Sequence, residues 1–167
     1  PRDFTEDLIK AHQDCQKLMP FIHLPVQSGS NKILEAMNRK HTVEDYYEII
    51  NKLIEVRPDI KFSSDFIIGY PGETKEDFKK TVELMVNIGF INSFSFIFNE
   101  RPGTPAFKLQ KLDEMVVKNR LIEFQRIADN TKTKYRKLLI EKSAKVLFEN
   151  KMKNSNKYFG RDEYFNS

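Results

Sequence analysis

The stretch Asp65–Thr74, DFIIGYPGET, decides the reading of the fold. An apolar run breaks at a glycine, passes through a Pro-Gly turn and arrives at a threonine suited to open a helix. In α/β sheets a strand that ends this way leaves its carboxyl end and the following loop free to reach a ligand. Two further stretches repeat the pattern, FIHLPVQSGS at residues 21–30 and FSFIFNERPGTPA at residues 94–106.

Helical patterns separate these runs. Phe4, Leu8, Ala11, Cys15 and Leu18 recur at helical spacing, predicting a helix over 4–18 with Cys15 on its buried stripe. Phe21–Leu24 reads as a short strand and Ile33–Met37 as a brief helix. Thr42 is placed to cap a helix over 43–56 whose first turn carries Asp45 and whose apolar face is Tyr46, Ile49, Ile50, Leu53 and Ile54. Pro58 stops it before a strand over Phe62–Ile68. Thr74 and Asp77 then open a helix with Phe78, Val82, Met85 and Val86 inside, which Gly89 ends before a strand over Phe90–Phe98. Helices of about a dozen residues between short apolar strands indicate parallel βαβ crossovers. Three such strands make about half of a (β/α) barrel.

After Ala106 the pattern changes. A long basic helix is expected over Met115 to about Leu139, with Val116, Leu121, Phe124, Ile127, Ala128 and Tyr135 as contacts, followed by a strand at Lys145–Glu149 and polar hairpin material. The fold class is therefore α/β: residues 1–139 as a partial barrel with its helix, residues 140–167 as the start of a small β domain. Such a domain would leave unpaired strand edges, the expected look of a fragment.

Composition limits the functional classes. The 167 residues are 40% apolar and 31% charged, enough for one core and an appendage. The apolar runs are too short to span a membrane, and Pro1 opens into an amphipathic pattern, so a cytoplasmic location is expected. The single cysteine, Cys15, excludes an internal disulfide and cannot alone build a zinc or iron-sulfur site. Charge is uneven, net −3 over residues 1–107 and net +7 over residues 108–167. Lys132, Lys134, Arg136, Lys137, Lys142 and Lys145 crowd one region, as expected of a surface meeting phosphates or of a solvated helix face.

The strand ends also carry candidate chemistry. Gln27, Ser28 and Ser30 offer amide and hydroxyl groups beside Gly29, where a backbone could approach a ligand, although a turn with a helix cap would use the same residues. Alternation puts Ser63, Asp65, Ile67 and Gly69 on one face of the second strand. If that face is interior, Ile67 and Gly69 form a flat apolar seat with an acid nearby. His23 is expected as a hydrogen-bonded interior histidine, and Phe94, Phe96 and Phe98 as a core stripe. Arg101, in a Pro-Gly loop at a strand end, has no obvious packing role.

HLPVQSGS, MNRKHT, SSDFIIGYPGET with EDF, and FSFIFNERPGTPA, in this order and spacing, resemble the radical S-adenosylmethionine methylthiotransferases over essentially the whole chain. They look most like the tRNA-modifying branch, which adds a methylthio group to position 2 of isopentenyladenosine beside the anticodon. KVLFE followed by GRDEYFNS resembles the start of a TRAM domain, the small RNA-binding barrel that closes such proteins.

The resemblance implies S-adenosylmethionine and 4Fe-4S clusters as cofactors, with tRNA, an electron-donor protein and an N-terminal half as partners. Family members hold one cluster through a Cys-x-x-x-Cys-x-x-Cys loop and an auxiliary cluster in an N-terminal domain, and neither cysteine set is present here. Reductive cleavage of the cofactor gives a 5′-deoxyadenosyl radical that abstracts hydrogen from the adenine ring carbon before sulfur is inserted. Carried over by position, Gln27 and Ser28 would contact the cofactor's polar part, and Ile67, Gly69, Phe96 and Ile97 would seat its adenine. Arg39 could meet a carboxylate or phosphate, and Asp65 could face the cofactor. Arg101, Lys134, Arg136, Lys137 and Arg161 would face substrate, while no residue is assigned to metal or to catalysis itself, the chemistry being the cofactor's. A ribosomal-protein methylthiotransferase and a non-catalytic remnant or RNA-binding module remain as alternatives.

Overall fold

The computed structural model describes every residue except Arg2 and Asn154. Among the described residues, three strands, β1 (Phe21–His23), β2 (Lys61–Ile68) and β3 (Asn92–Ile97), form one parallel sheet in the order β1-β2-β3. Helices α2 (Asn31–Ala36) and α3 (Val43–Val56) connect β1 to β2, and α4 (Lys75–Ile88) connects β2 to β3. Helix α1 (Glu6–Asp14) precedes the sheet and α5 (Glu114–Lys137) follows it. A separate antiparallel pair, β4 (Val146–Lys151) and β5 (Tyr158–Asp162), closes the chain.

The helix boundaries follow from local chemistry. Thr42 and Thr74 both accept a hydrogen bond from the amide three residues on, while the Asp45 and Asp77 carboxylates accept one from the capping residue's own amide. Two otherwise orphaned donors are satisfied at each start. Gly89 ends α4 in the left-handed conformation at φ 70°, which glycine adopts without a Cβ penalty.

The sheet has two unlike faces. Ile22, Phe62, Phe66 and Ile68 pack against Tyr46, Ile50 and Leu53 of α3, Phe78, Leu84 and Met85 of α4, and Phe124 of α5. Phe66 and Phe124 are fully buried with ring centroids 4.8 Å apart, and Phe90 closes on Phe66 from another side. On the opposite face the register aligns His23 with Ser63, Asp65 with Phe94 and Ile67 with Phe96. This second face is open.

Several expectations are corrected. Helix α1 ends at Asp14, and Cys15 turns to an extended conformation that leaves it exposed rather than on a buried stripe. Ile9 is the helix's buried residue, joining the core where α1 packs on α3. His23 is hydrogen-bonded but not interior, its side chain being 40% exposed. Phe94 and Phe96 are 48% and 55% exposed, since helices cover only the other side of the sheet. Ile54, Val86 and Val116 are likewise exposed, while Thr81 and Leu84 of α4 and Val117 of α5 are buried where the sequence pattern had not placed them.

The terminal hairpin has a β-bulge between Phe148 and Asn150 and leaves Leu147 and Phe148 largely exposed. Its tail is anchored. The Asp162 carboxylate accepts the amides of Tyr164 and Asn166, folding the chain so that Phe165 stacks on Phe21 at 5.9 Å and Tyr164 meets Tyr135 edge-on at 6.3 Å.

Candidate active site at the strand ends

The strand ends converge. Gln27 continues β1 as an isolated bridge to β2, its amide donating to the Asp65 carbonyl at 3.0 Å and its carbonyl accepting from the Ile67 amide at 2.9 Å. It does so at φ 77°, a costly conformation for a residue with a Cβ and one that clusters at ligand sites. Beside it opens a cavity of about 760 Å³ lined by Gln27, Arg39, Asp65, Ile67, Phe96, Ile97 and Arg101 of the expected residues. Met37, Tyr70 and Asn99 line it as well. Its wall is partly fixed by Tyr70, whose hydroxyl donates to the Ala36 carbonyl at 2.7 Å.

Electrostatically the cavity is simple. Asp65 is the one acid among its described lining residues, Arg39 and Arg101 are exposed cations at its rim, and Ile67, Phe96 and Ile97 give an apolar seat. Asp65 is approached by His23, whose Nε2 lies 3.4 Å from Oδ1, while His23 Nδ1 lies 2.7 Å from the Ser63 hydroxyl.

Two expected residues lie elsewhere. The Ser28 hydroxyl is buried, accepts the Ser30 amide at 3.2 Å and sits 3.2 Å from the Thr81 hydroxyl, so it fastens the loop to α4 instead of lining the cavity. Gly29 serves the same contact, since a Cβ there would come within 2.4 Å of the Lys80 carbonyl oxygen; close packing on α4, not approach to a ligand, requires this glycine. Gly69 leaves the strand at φ 78° and faces Val117 of α5, in a neighbouring cavity of about 250 Å³ with Ile97, Phe98 and Lys118. Strand alternation therefore ends at Ile68, one residue before the seat expected of Gly69.

The turn between β2 and α4 is held by a pair that no sequence pattern announces. Glu73, its side chain 1% exposed, receives a hydrogen bond from Arg120 of α5 at 2.7 Å and one from the Gly69 amide at 3.2 Å. Burial pushes the Glu73 carboxyl up, against the pull of Arg120 and the Gly69 amide. Asp77 goes the other way: although burial opposes it, hydrogen bonds from Thr74, Ser30 and Lys32 hold it well below the usual carboxylate range. Glu73 lies within the PGET turn, where sequence reasoning gave it no role, and its partner Arg120 is 47 residues away in a basic helix with no signal of its own.

The expected substrate contacts are scattered. Lys134, Arg136 and Lys137 are exposed in the last turn of α5. Arg161 is committed within the hairpin, its Nη1 donating to both Glu149 carboxylate oxygens at 2.7 and 2.8 Å and its guanidinium lying over Phe159 and Phe165.

A parallel α/β sheet with a cavity of small-ligand size at its strand ends belongs to the class of α/β proteins that bind ligands at the carboxyl ends of their strands. Within that class this chain belongs to the radical SAM superfamily, whose family model matches residues 1–85. It is 53% identical over its whole length to the tRNA-2-methylthio-N(6)-dimethylallyladenosine synthase of Pelagibacter ubique, and 45% and 46% identical to proteins of that description from Zymomonas mobilis and a Wolbachia of Brugia malayi. It spans only 37–38% of the length of these relatives.

The residues fit S-adenosylmethionine and not a cluster. An acid, two arginines and an apolar seat around about 760 Å³ suit a ligand with hydroxyls, a carboxylate and a purine. Among the described residues no group of three His, Cys, Asp or Glu side chains is placed to hold a metal ion. Nor is any helix there long and apolar enough to cross a membrane.

Proposed function

We propose that this chain is the cofactor-seating and RNA-facing segment of a tRNA methylthiotransferase acting on isopentenyladenosine. The observation that carries the reading is the single cavity where Gln27, Asp65, Ile67, Phe96 and Ile97 meet from three strand ends, in a chain 53% identical to a synthase of that modification. S-adenosylmethionine bound there supplies a reductively cleavable sulfonium. The chain's own residues orient it: Ile67, Phe96 and Ile97 cover an apolar ring, Arg39 and Arg101 attract its carboxylate or a neighbouring RNA phosphate, and Gln27 offers an amide.

The iron-sulfur chemistry belongs to residues beyond these 167. The chain alone has no turnover, and needs an N-terminal half and an electron-donor protein. Residues 140–167 are the opening of a TRAM-like RNA-binding barrel, with exposed Lys134, Arg136 and Lys137 extending the phosphate-facing surface and Arg161 bracing the hairpin behind it.

A chimera tests the assignment. This chain replaces the matching part of the Pelagibacter relative, and tRNA from a host lacking the modification is digested and analysed by mass spectrometry. The methylthio derivative of isopentenyladenosine is expected. A folded, S-adenosylmethionine-binding chimera that leaves isopentenyladenosine unmodified overturns the reading.

A further inference from the structure

The terminal hairpin is tied to the sheet by a column of side chains that its own ladder does not require. Arg161 of β5 lies between two rings, 5.1 Å from the Phe159 centroid and 4.8 Å from that of Phe165, and Phe165 stacks on Phe21 at 5.9 Å with the planes 12° apart. The column therefore runs from β5 to the first residue of β1. The β4–β5 ladder is complete at Asp162, and a tight turn beyond it carries Phe165 across: the Phe165 amide donates to the Asp162 carbonyl at 3.1 Å and the Asp162 amide to the Asn166 carbonyl at 3.0 Å. Phe165 sits there at φ 64°. A residue with a Cβ holds that conformation only where its surroundings over-determine it, and such strain gathers at clamps and switches. Tyr164 adds a second tie, meeting Tyr135 of α5 edge-on at 6.3 Å.

Tyr135 stands among Lys134, Arg136 and Lys137 at the end of α5, so the joint and these exposed cations share one end of the sheet. The cavity is at the other. Strand β2 passes from Lys61, opposite Phe21, to Phe66, opposite Gln27, five residue steps of about 3.3 Å that separate the joint from the cavity wall by roughly 16 Å. An RNA gripped at the first end has to present its base at the second, and a hairpin free to swivel would blur that reach. Resting on the RNA-facing role proposed above, we infer that Phe165 is a positioning residue: with Arg161 and Tyr164 it locks the hairpin to β1 and α5, so that RNA held at this end meets the cavity at a fixed distance.

Residual dipolar couplings of the isotope-labelled 167-residue chain read the joint directly. Phe165 is half-exposed, so replacing it empties no core position, and Phe165→Gly keeps the left-handed turn while deleting the ring. In the wild type the amides of β1–β3 and of β4–β5 are expected to fit one alignment tensor. In Phe165→Gly they should need two, with the hairpin's own amide shifts preserved, and Phe165→Tyr should restore one. The chimera described above reads the consequence in single turnover at saturating tRNA. Phe165→Gly should bind tRNA as the unsubstituted chimera does yet methylthiolate it at least about tenfold more slowly, because a misplacement of about 1 Å can cost a hundredfold. Phe165→Tyr should recover the rate. A single tensor in Phe165→Gly, or two in the wild type, overturns the joint. A lost joint with an unchanged rate overturns the positioning role. An unsubstituted chimera that makes no product overturns the function on which that role rests, separately from the joint, which the couplings decide.

Discussion

Arg120→Ala removes one half of a nearly dry ion pair and should be among the most damaging changes in the chain. The Glu73 side chain is 1% exposed and the Arg120 side chain 13%, with 2.7 Å between them. Truncating the arginine strands a buried carboxylate whose remaining partner is the Gly69 amide at 3.2 Å, and breaking such a pair costs about 3–5 kcal/mol. For a chain of this size that is a fall in Tm of roughly 6–20 °C. The sign of the pH dependence follows from the pKa. Burial already raises the Glu73 carboxyl, and loss of Arg120 raises it further, so the folded variant binds a proton more tightly than its unfolded form does. The defect should therefore shrink as pH falls toward 4.5, because protonation removes the stranded charge. Urea denaturation at pH 7 and pH 5 measures it, and Glu73→Gln combined with Arg120→Met should recover most of the loss. A cost below about 1 kcal/mol, or one identical at both pH values, refutes the argument, since an exposed pair would behave that way.

Other outcomes follow from the same packing. Gly29→Ala drives a Cβ to 2.4 Å from the Lys80 carbonyl and should cost about 1–3 kcal/mol by denaturant titration while leaving the cavity residues in place. Phe66→Ala empties a fully buried position between Phe90 and Phe124 and should cost about 3–5 kcal/mol. His41 is buried with Nε2 unpartnered, and burial, with the Arg39 charge adding to it, holds its pKa below 6.5. The fold thus favours neutral His41; the resulting stability is present above pH 6.5 and declines as pH falls toward the lower folded value, so His41→Leu should flatten the acid limb of a Tm-against-pH curve.

The sheet was legible because its signals are local. Thr42, Thr74 and Gly89 mark helix ends by chemistry confined to three or four residues, and the structure places those boundaries at the same residues. Phe94 and Phe96 were misread because periodicity reports a face but not what covers it, and the helices lie on one side of the sheet only, whereas Cys15 was misread because α1 ends one residue before it. Site residues at strand ends divided on backbone geometry. Gln27 and Ile67 stay in register with β2 and reach the cavity, whereas Gly69 twists to positive φ and Ser28 turns into α4, events that depend on Val117 and Thr81 far along the chain. The role of Glu73 needed Arg120, a long-range pairing without sequence periodicity.

The central claim is that three strand ends form one wall of an adenosyl site. Titration of the isotope-labelled chain with S-adenosylhomocysteine, mapped residue by residue by NMR, tests it most directly. Shifts concentrated at Gln27, Asp65, Ile67, Phe96, Ile97 and Asn99, around the cavity of about 760 Å³, are predicted. Saturable shifts clustered instead at α1, α5 or the terminal hairpin, or no shift at millimolar ligand, would contradict it.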